Sequence, residues 1–209
     1  MNSKVTHINV GNLAENCWFL ANEDTKEAVV IDPGAEPDRI CAAAEKHGWK
    51  ITAILLTHGH IDHMGACESL RTELGVKVYA LTEEEDLLLD AKKNLSVFIE
   101  RKVVTFEPDE LLRDGQELTL AGMKIQVIHT PGHTVGGCSY YVADAGCVFS
   151  GDTLFAESVG RSDFPGGSTS ALVRAVKEKL FLLPDDTLVC PGHGEETTIG
   201  HEKKYNPFV

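Results

Sequence analysis

Residues 51–66 read ITAILLTHGHIDHMGA, and this stretch decides the fold. A strand with one wet face alternates apolar and polar residues, whereas a run that is apolar throughout is covered on both faces. Residues 51–57 (ITAILLT) therefore read as a buried central strand of an α/β sheet. His58-Gly59-His60-Ile61-Asp62-His63 follows at once. Side chains two apart on an extended chain point the same way, so His58 and His60 can grip one cation. Asp62 and His63 stand at the turn into a helix over 63–74, placed for a second ion nearby. Coordinating groups packed this densely at a strand end point to metal chemistry.

The flanking chain supports a layered arrangement. Segments 5–10, 15–21 and 27–31 read as strands, and Pro33-Gly34 as a turn. Residues 37–47 form a helix with proline in its first turn and Gly48 closing it. VKVYA (76–80) is a short strand, and 83–100 is helical, with leucines at 87, 88, 89 and 95. The segment 83–110 reads either as an amphipathic helix packed on the sheets or as an overhang lining a pocket with Leu89, Asn94 or Phe98. QELTL and MKIQVIH form a hairpin about Ala121-Gly122, and CSYYVA pairs with GCVFS about Asp144-Ala145-Gly146. A helix over 168–183 and the strand TLVC (187–190) follow. Strand pairs followed by helices occur twice, which suggests two similar halves with helices outside two packed sheets. Residues 1–209 are expected to form one domain.

Three more residues repeat the logic of the first motif. His133 in TPGHT follows MKIQVIH, Asp152 in SGDT follows CVF, and His193 in PGHG follows TLVC. Each stands at a strand end beside Gly or Pro, where loops on a rigid sheet build sites. Asp32 in IDPG lacks a metal-motif neighbour and reads as a turn-stabilising or ligand-orienting carboxylate. His129 reads as a ligand-supporting or packing residue, not a ligand, and Cys67 and Cys190 as core thiols.

Composition narrows the classes. The chain has 209 residues, a net charge of −13 and an apolar fraction of 43%, an ordinary globular make-up. The acidic balance argues against a nucleic-acid partner. No apolar run spans a bilayer and no secretory signal opens the chain, so a cytoplasmic protein with no membrane partner is expected. Six cysteines without a CxxC pair read as reduced thiols.

The ordered motifs THGHIDH, TPGHT, GDTLF and PGHG resemble the metallo-β-lactamase superfamily, and within it the short, single-domain glyoxalase II (hydroxyacylglutathione hydrolase) type. The block GDTLFAESVGRSDFPGG (151–167) and the tail TTIGHEKKYNPF (197–208) are similar to that group. The resemblance implies a four-layered αβ/βα sandwich with two divalent metal ions at one edge. It assigns His58, His60 and His133 to the first, Asp62, His63 and His193 to the second, and Asp152 to both. Such ligands suit zinc above all, and also iron or manganese. It further implies that a hydroxide shared by the two ions attacks a thioester such as S-lactoylglutathione, with Asp62 helping to orient it. Arg161 stands where the family binds glutathione.

There are departures. Only 16 residues follow His193, so no counterpart of the C-terminal helical domain of classical glyoxalase II is expected in these 209 residues, and two tyrosines of that enzyme are here Glu195 and Asp163. Asp163 is placed to pair with Arg161 instead. Gly160-Arg161-Ser162-Asp163-Phe164 also matches the persulfide dioxygenase branch, which would hold one iron on His58, His133 and Asp152.

Overall fold

The computed structural model describes residues 2–209. The first half runs β1 (Ser3–Val10), β2 (Glu15–Asn22), β3 (Glu27–Ile31), α1 (Pro37–Lys46), β4 (Lys50–Leu55), α2 (Ile61–Met64), α3 (Cys67–Leu74), β5 (Lys77–Leu81), α4 (Glu85–Leu88), α5 (Ser96–Ile99) and β6 (Glu110–Leu112). The second runs β7 (Glu117–Leu120), β8 (Met123–His129), β9 (Cys138–Val142), β10 (Cys147–Gly151), β11 (Leu154–Phe155), β12 (Ser158–Val159), α6 (Thr169–Glu178), β13 (Leu188–Pro191), β14 (Thr197–Thr198) and α7 (Ile199–Tyr205).

Two sheets result. One has the order β1-β2-β3-β4-β5-β6, the other β14-β13-β10-β9-β8-β7. From β3 to β6 the strands are parallel, so helices must carry the chain back across one face. β10 and β13 are parallel in the same way, with α6 between them. β2 shows why the sheets need cover on both sides. Its Trp18 and Leu20 join a core between the sheets with Met123, Ile125, Tyr140 and Phe149. Its Cys17, Phe19 and Ala21 point the other way, into a core with Ile40, Ala44 and Leu70 of the helices. Alternation along one strand thus fills two cores. Beyond the second sheet, Val148 and Val189 pack on Val176 and Leu180. The layers are helix, sheet, sheet, helix, which is the αβ/βα sandwich.

Two expected helices differ from the sequence reading. The helix over 63–74 is split, because Ala66 donates its N–H to Pro33 O at 2.9 Å and leaves the helical ladder between α2 and α3. The helix over 83–100 is a 3₁₀ turn (Thr82–Glu84), α4, a loop and α5. Asn94 breaks it: the buried side chain donates to Leu88 O and Val104 O, and Leu95 follows at φ 67°. A side-chain amide that captures backbone carbonyls competes with the helix in this way. No helix among the described residues is long and apolar enough to cross a membrane. All six cysteines are free, and five are buried.

Candidate metal centre

Four loops meet at one edge of the sandwich. They follow β4, β8, β10 and β13, the strand ends picked out by the motifs. The loops are tied at their roots: Cys138 N donates to Thr57 O at 2.8 Å, and Tyr140 Oη donates to Leu56 O at 2.7 Å. From the far side, Asn16 Nδ2 donates to Pro191 O and Gly194 O, each at 3.0 Å, and so grips the loop of His193. Trp18 Nε1 adds a bond of 2.8 Å to Pro191 O.

His58, His60 and His133 form a compact triad, with ring centroids 4.7–4.8 Å apart and planes close to perpendicular. His60 Nδ1 lies 2.9 Å from His133 Nε2. The other ring nitrogen, His133 Nδ1, donates to Arg161 O at 2.6 Å. That bond sets the tautomer that leaves Nε2 free as a ligand atom. Asp62, His63 and His193 form the second group. His193 Nε2 is 3.3 Å and His63 Nε2 3.8 Å from Asp62 Oδ2.

Asp152 lies between the groups. Its Oδ1 is 3.4 Å from His63 Nε2, and its Oδ2 is 3.5 Å from His133 Nε2 and 3.8 Å from His193 Nε2. Gly192 permits this, since a Cβ there would fall 2.3 Å from Asp152 Oδ1 and 2.6 Å from His63 Cε1. His58 Nε2, His63 Nε2 and Asp152 Oδ1 are buried with no hydrogen-bond partner. Buried polar atoms are normally paired, so lone pairs left open and converging on one spot fit cations.

The electrostatics divide the groups. Burial, reinforced by the neighbouring imidazoles, depresses His58 well below its ordinary range. Burial and His133 bring His60 down to about 3. Burial also opposes a charge on His63, but Asp152, Asp62 and Asp32 outweigh it and raise its pKa. Burial alone would raise Asp62, yet His63 and His193 hold it below the usual carboxylate range.

Of the residues behind this cluster, the sequence marked Asp32 and not Glu15. Asp32, held at φ 53°, accepts from Thr57 N at 2.7 Å and lies 3.0 Å from His63 Nδ1. It is the orienting carboxylate of His63. Glu15 is buried and neither oxygen has a hydrogen-bond partner; Oε1 lies 4.0 Å from His63 Nδ1, and burial pushes the acid's pKa up. No local pattern marks Glu15, whose role arises from packing across the sheet.

A cavity of about 340 Å³ opens over the two groups. His60, Asp62, His133, Asp152 and His193 form its floor, and Leu13, Leu95, Ile99, Phe155 and Phe164 its apolar wall. The 83–110 segment does overhang the site, but through Leu95 and Ile99. Asn94 is buried and bonded within the segment, whereas Leu89 and Phe98 are exposed. Arg161 reaches the rim. Its Nε and Nη2 grip Asp163 at 2.9 and 2.8 Å, and its guanidinium lies 4.3 Å from the centroid of the Phe164 ring. His129 is a packing residue, with Nε2 2.9 Å from Val135 O.

The sequence profile of the metallo-beta-lactamase superfamily matches residues 10–193. The chain belongs to that superfamily. Among curated relatives, the probable metallo-hydrolase YqgX of Bacillus subtilis is 39% identical over 201 residues, covering 96% of this chain and 94% of YqgX. The hydroxyacylglutathione hydrolase GloC of Haemophilus influenzae is 36% identical over 197 residues, covering 93% and 92%. Among solved structures, BLEG-1 B3 metallo-beta-lactamase superposes with a TM-score of 0.93 at 38% identity, covering 98% of this chain and 99% of that one. TTHA1623 in a di-iron-bound form gives 0.86 at 37% identity, covering 98% and 100%. ETHE1 from Myxococcus xanthus gives 0.78 at 31%, covering 99% and 84%. Membership carries metal-dependent hydrolase chemistry as the coarse expectation, and the names do not agree on a substrate.

Proposed function

We propose that the protein is a dinuclear metal-dependent thioesterase of the glyoxalase II type, acting on a small thioester such as S-lactoylglutathione. One observation carries the reading. Two three-residue ligand groups share the Asp152 carboxylate at the floor of a cavity. His58, His60 and His133 would hold one cation, and Asp62, His63 and His193 the other, with Asp152 common to both. Imidazole and carboxylate donors suit zinc, iron or manganese, and the likeness to a di-iron structure keeps iron in view. Bound there, two such cations would supply an acidified water and Lewis-acid polarisation of a carbonyl.

The chain's own groups do the rest. Asp62, held ionised, can orient the attacking water or accept its proton, and cannot act as the acid. Leu95, Ile99, Phe155 and Phe164 flank the acyl group and keep bulk water from the reacting centre. Arg161 lies at the rim, where a glutathione carboxylate would reach it after displacing Asp163. A partner of this size is a small molecule.

The one-iron dioxygenase reading rests on Phe164 of GRSDF. Its ring meets His60 and His133 at centroid distances of 5.4 and 6.1 Å. Metal analysis per chain, followed by both assays on the same sample, separates the two. Two metals with thioester hydrolysis support the thioesterase. One iron with oxygen uptake on glutathione persulfide overturns it.

A further inference from the structure

Glu84 closes the 3₁₀ turn after β5, outside every metal motif, and is only 1% exposed. One carboxylate oxygen accepts from Gly59 N at 2.9 Å, and the other from Gly136 N at 2.8 Å. Gly59 stands between His58 and His60. Gly136 ends the tight loop that carries His133. The two loops leave different sheets, the first from β4 and the second from β8. Thr57 and Cys138 join these loops at their roots, and Glu84 joins them further out.

We propose that Glu84 is the positioning residue of the first triad: its carboxylate sets the spacing of His58 and His60 from His133, and so the affinity of that triad for its cation. The inference rests on reading the triad as a cation site.

Three further observations support it. First, the docking is close. A Cβ on Gly136 would lie 2.2 Å from Glu84 N, so the His133 loop lies directly against the turn. Second, the chemistry suits a carboxylate. Two N–H donors aimed at one buried group are satisfied together by an ionised acid, and each bond is strengthened by the charge. Burial raises the acid to about 7, while the bonds from Gly59 and Gly136 pull against it. Third, the second group is held by other means. His63 rests on Asp32, and the His193 loop on Asn16 and Trp18. Glu84 donates or accepts no bond in either, so its loss acts on one group of ligands.

The test is site-resolved zinc titration. In a His193→Ala background the first triad is measured, and in a His60→Ala background the second group. Glu84→Gln keeps the shape but turns an NH₂ toward one of the glycine donors. It is expected to weaken zinc at the first triad by about 10- to 100-fold, the usual cost of losing a group that orients ligands, and to leave the second within two-fold. Glu84→Asp, too short to reach both amides, is expected to show the same selectivity. Equal losses at both groups, or no loss at either, overturn the proposal. No zinc bound at the first triad of a Glu84-intact chain overturns the metal reading instead. Amide hydrogen exchange of the wild type needs no variant: Gly59 and Gly136 N–H are expected to be strongly protected without metal, and fast exchange at either overturns the clamp.

Discussion

The two ligand groups lie side by side and differ in kind. The first is three imidazoles, buried to 2%, 3% and 5% exposure, with His58 and His60 held neutral. The second mixes Asp62 with His63 and His193, and its His63 is hemmed in by Asp152, Asp62 and Asp32. The first group offers neutral lone pairs and has no proton to expel from His58 or His60. The second offers negative charge, but His63 must give up a proton for its nitrogen to coordinate. The pair teaches that one edge of a sandwich can build two unlike groups around a single shared loop, the one after β4, because the other loops and the residues behind them differ.

The sharpest way to break this division is to remove what the groups share. Asp152→Ala is expected to lower metal content in both groups and to reduce kcat by at least about 10³-fold, the scale of losing several kcal/mol of charge stabilisation. Metal analysis alongside the thioesterase assay checks it. Loss of metal from one group alone would show that Asp152 belongs to that group and is not a bridge.

The next largest effect probes the support of the first triad through pH. Glu84 is raised from its ordinary 4.5 to about 7. A carboxyl that is easier to protonate when folded contributes its full stability below about 4.5, and loses it as pH rises through about 7. The swing is roughly 3 kcal/mol over that window. Denaturant melts of metal-free wild type and Glu84→Gln are expected to diverge between pH 4.5 and 8, with the variant gaining relative to wild type. Parallel curves would mean that the carboxyl is not buried as described.

The second group has its own support in Asp32. Asp32→Asn leaves the bond to Thr57 N possible but weakens the hold on His63 Nδ1. Zinc affinity of the second group is expected to fall about 10- to 100-fold, with a smaller fall at the first triad, because Asp32 Oδ2 also accepts from Thr57 Oγ1, which lies 3.2 Å from His58 Nδ1. A loss at the first triad as large as that at the second would mean that Asp32 supports both groups equally.

The convergence of the cluster was legible because each of its residues depends on local sequence: a strand end, a spacing of two, a flanking Gly or Pro. The sandwich was legible for a related reason, since strands buried on both faces, such as 51–57, write themselves as unbroken apolar runs. Of the supports, only Asp32 was legible, from its turn in IDPG. Glu84 sits in Glu83-Glu84-Glu85-Asp86, where nothing distinguishes it from its acidic neighbours, and its partners lie 25 and 52 positions away. Glu15 and Asn16 read as the opening of a strand, yet they lie beneath the metal loops through contacts across the sheets. The helix over 83–100 failed for the opposite reason. Its leucine spacing was helical, and one amide, Asn94, overrode it.

The smallest expected effect concerns the rim, where the cavity meets solvent. Arg161 does two jobs through two ends. Its carbonyl fixes His133 at 2.6 Å, and its guanidinium is held by Asp163. The pair is exposed at 65% and 68%, and exposed ion pairs are weak, so an incoming carboxylate can exchange with Asp163. Arg161→Ala keeps the carbonyl and removes the cation. KM for a glutathione thioester is then expected to rise a few-fold with kcat nearly constant, the mark of uniform binding. Asp163→Asn frees the guanidinium and is expected to lower KM for the same anionic substrate, while KM for an uncharged thioester stays put. The two variants move KM in opposite directions only if Asp163 competes with substrate for Arg161. If both raise it, the pair acts as a strut for the Phe164 wall. Glutathione would then have to be recognised elsewhere on a chain whose net charge of −13 repels it.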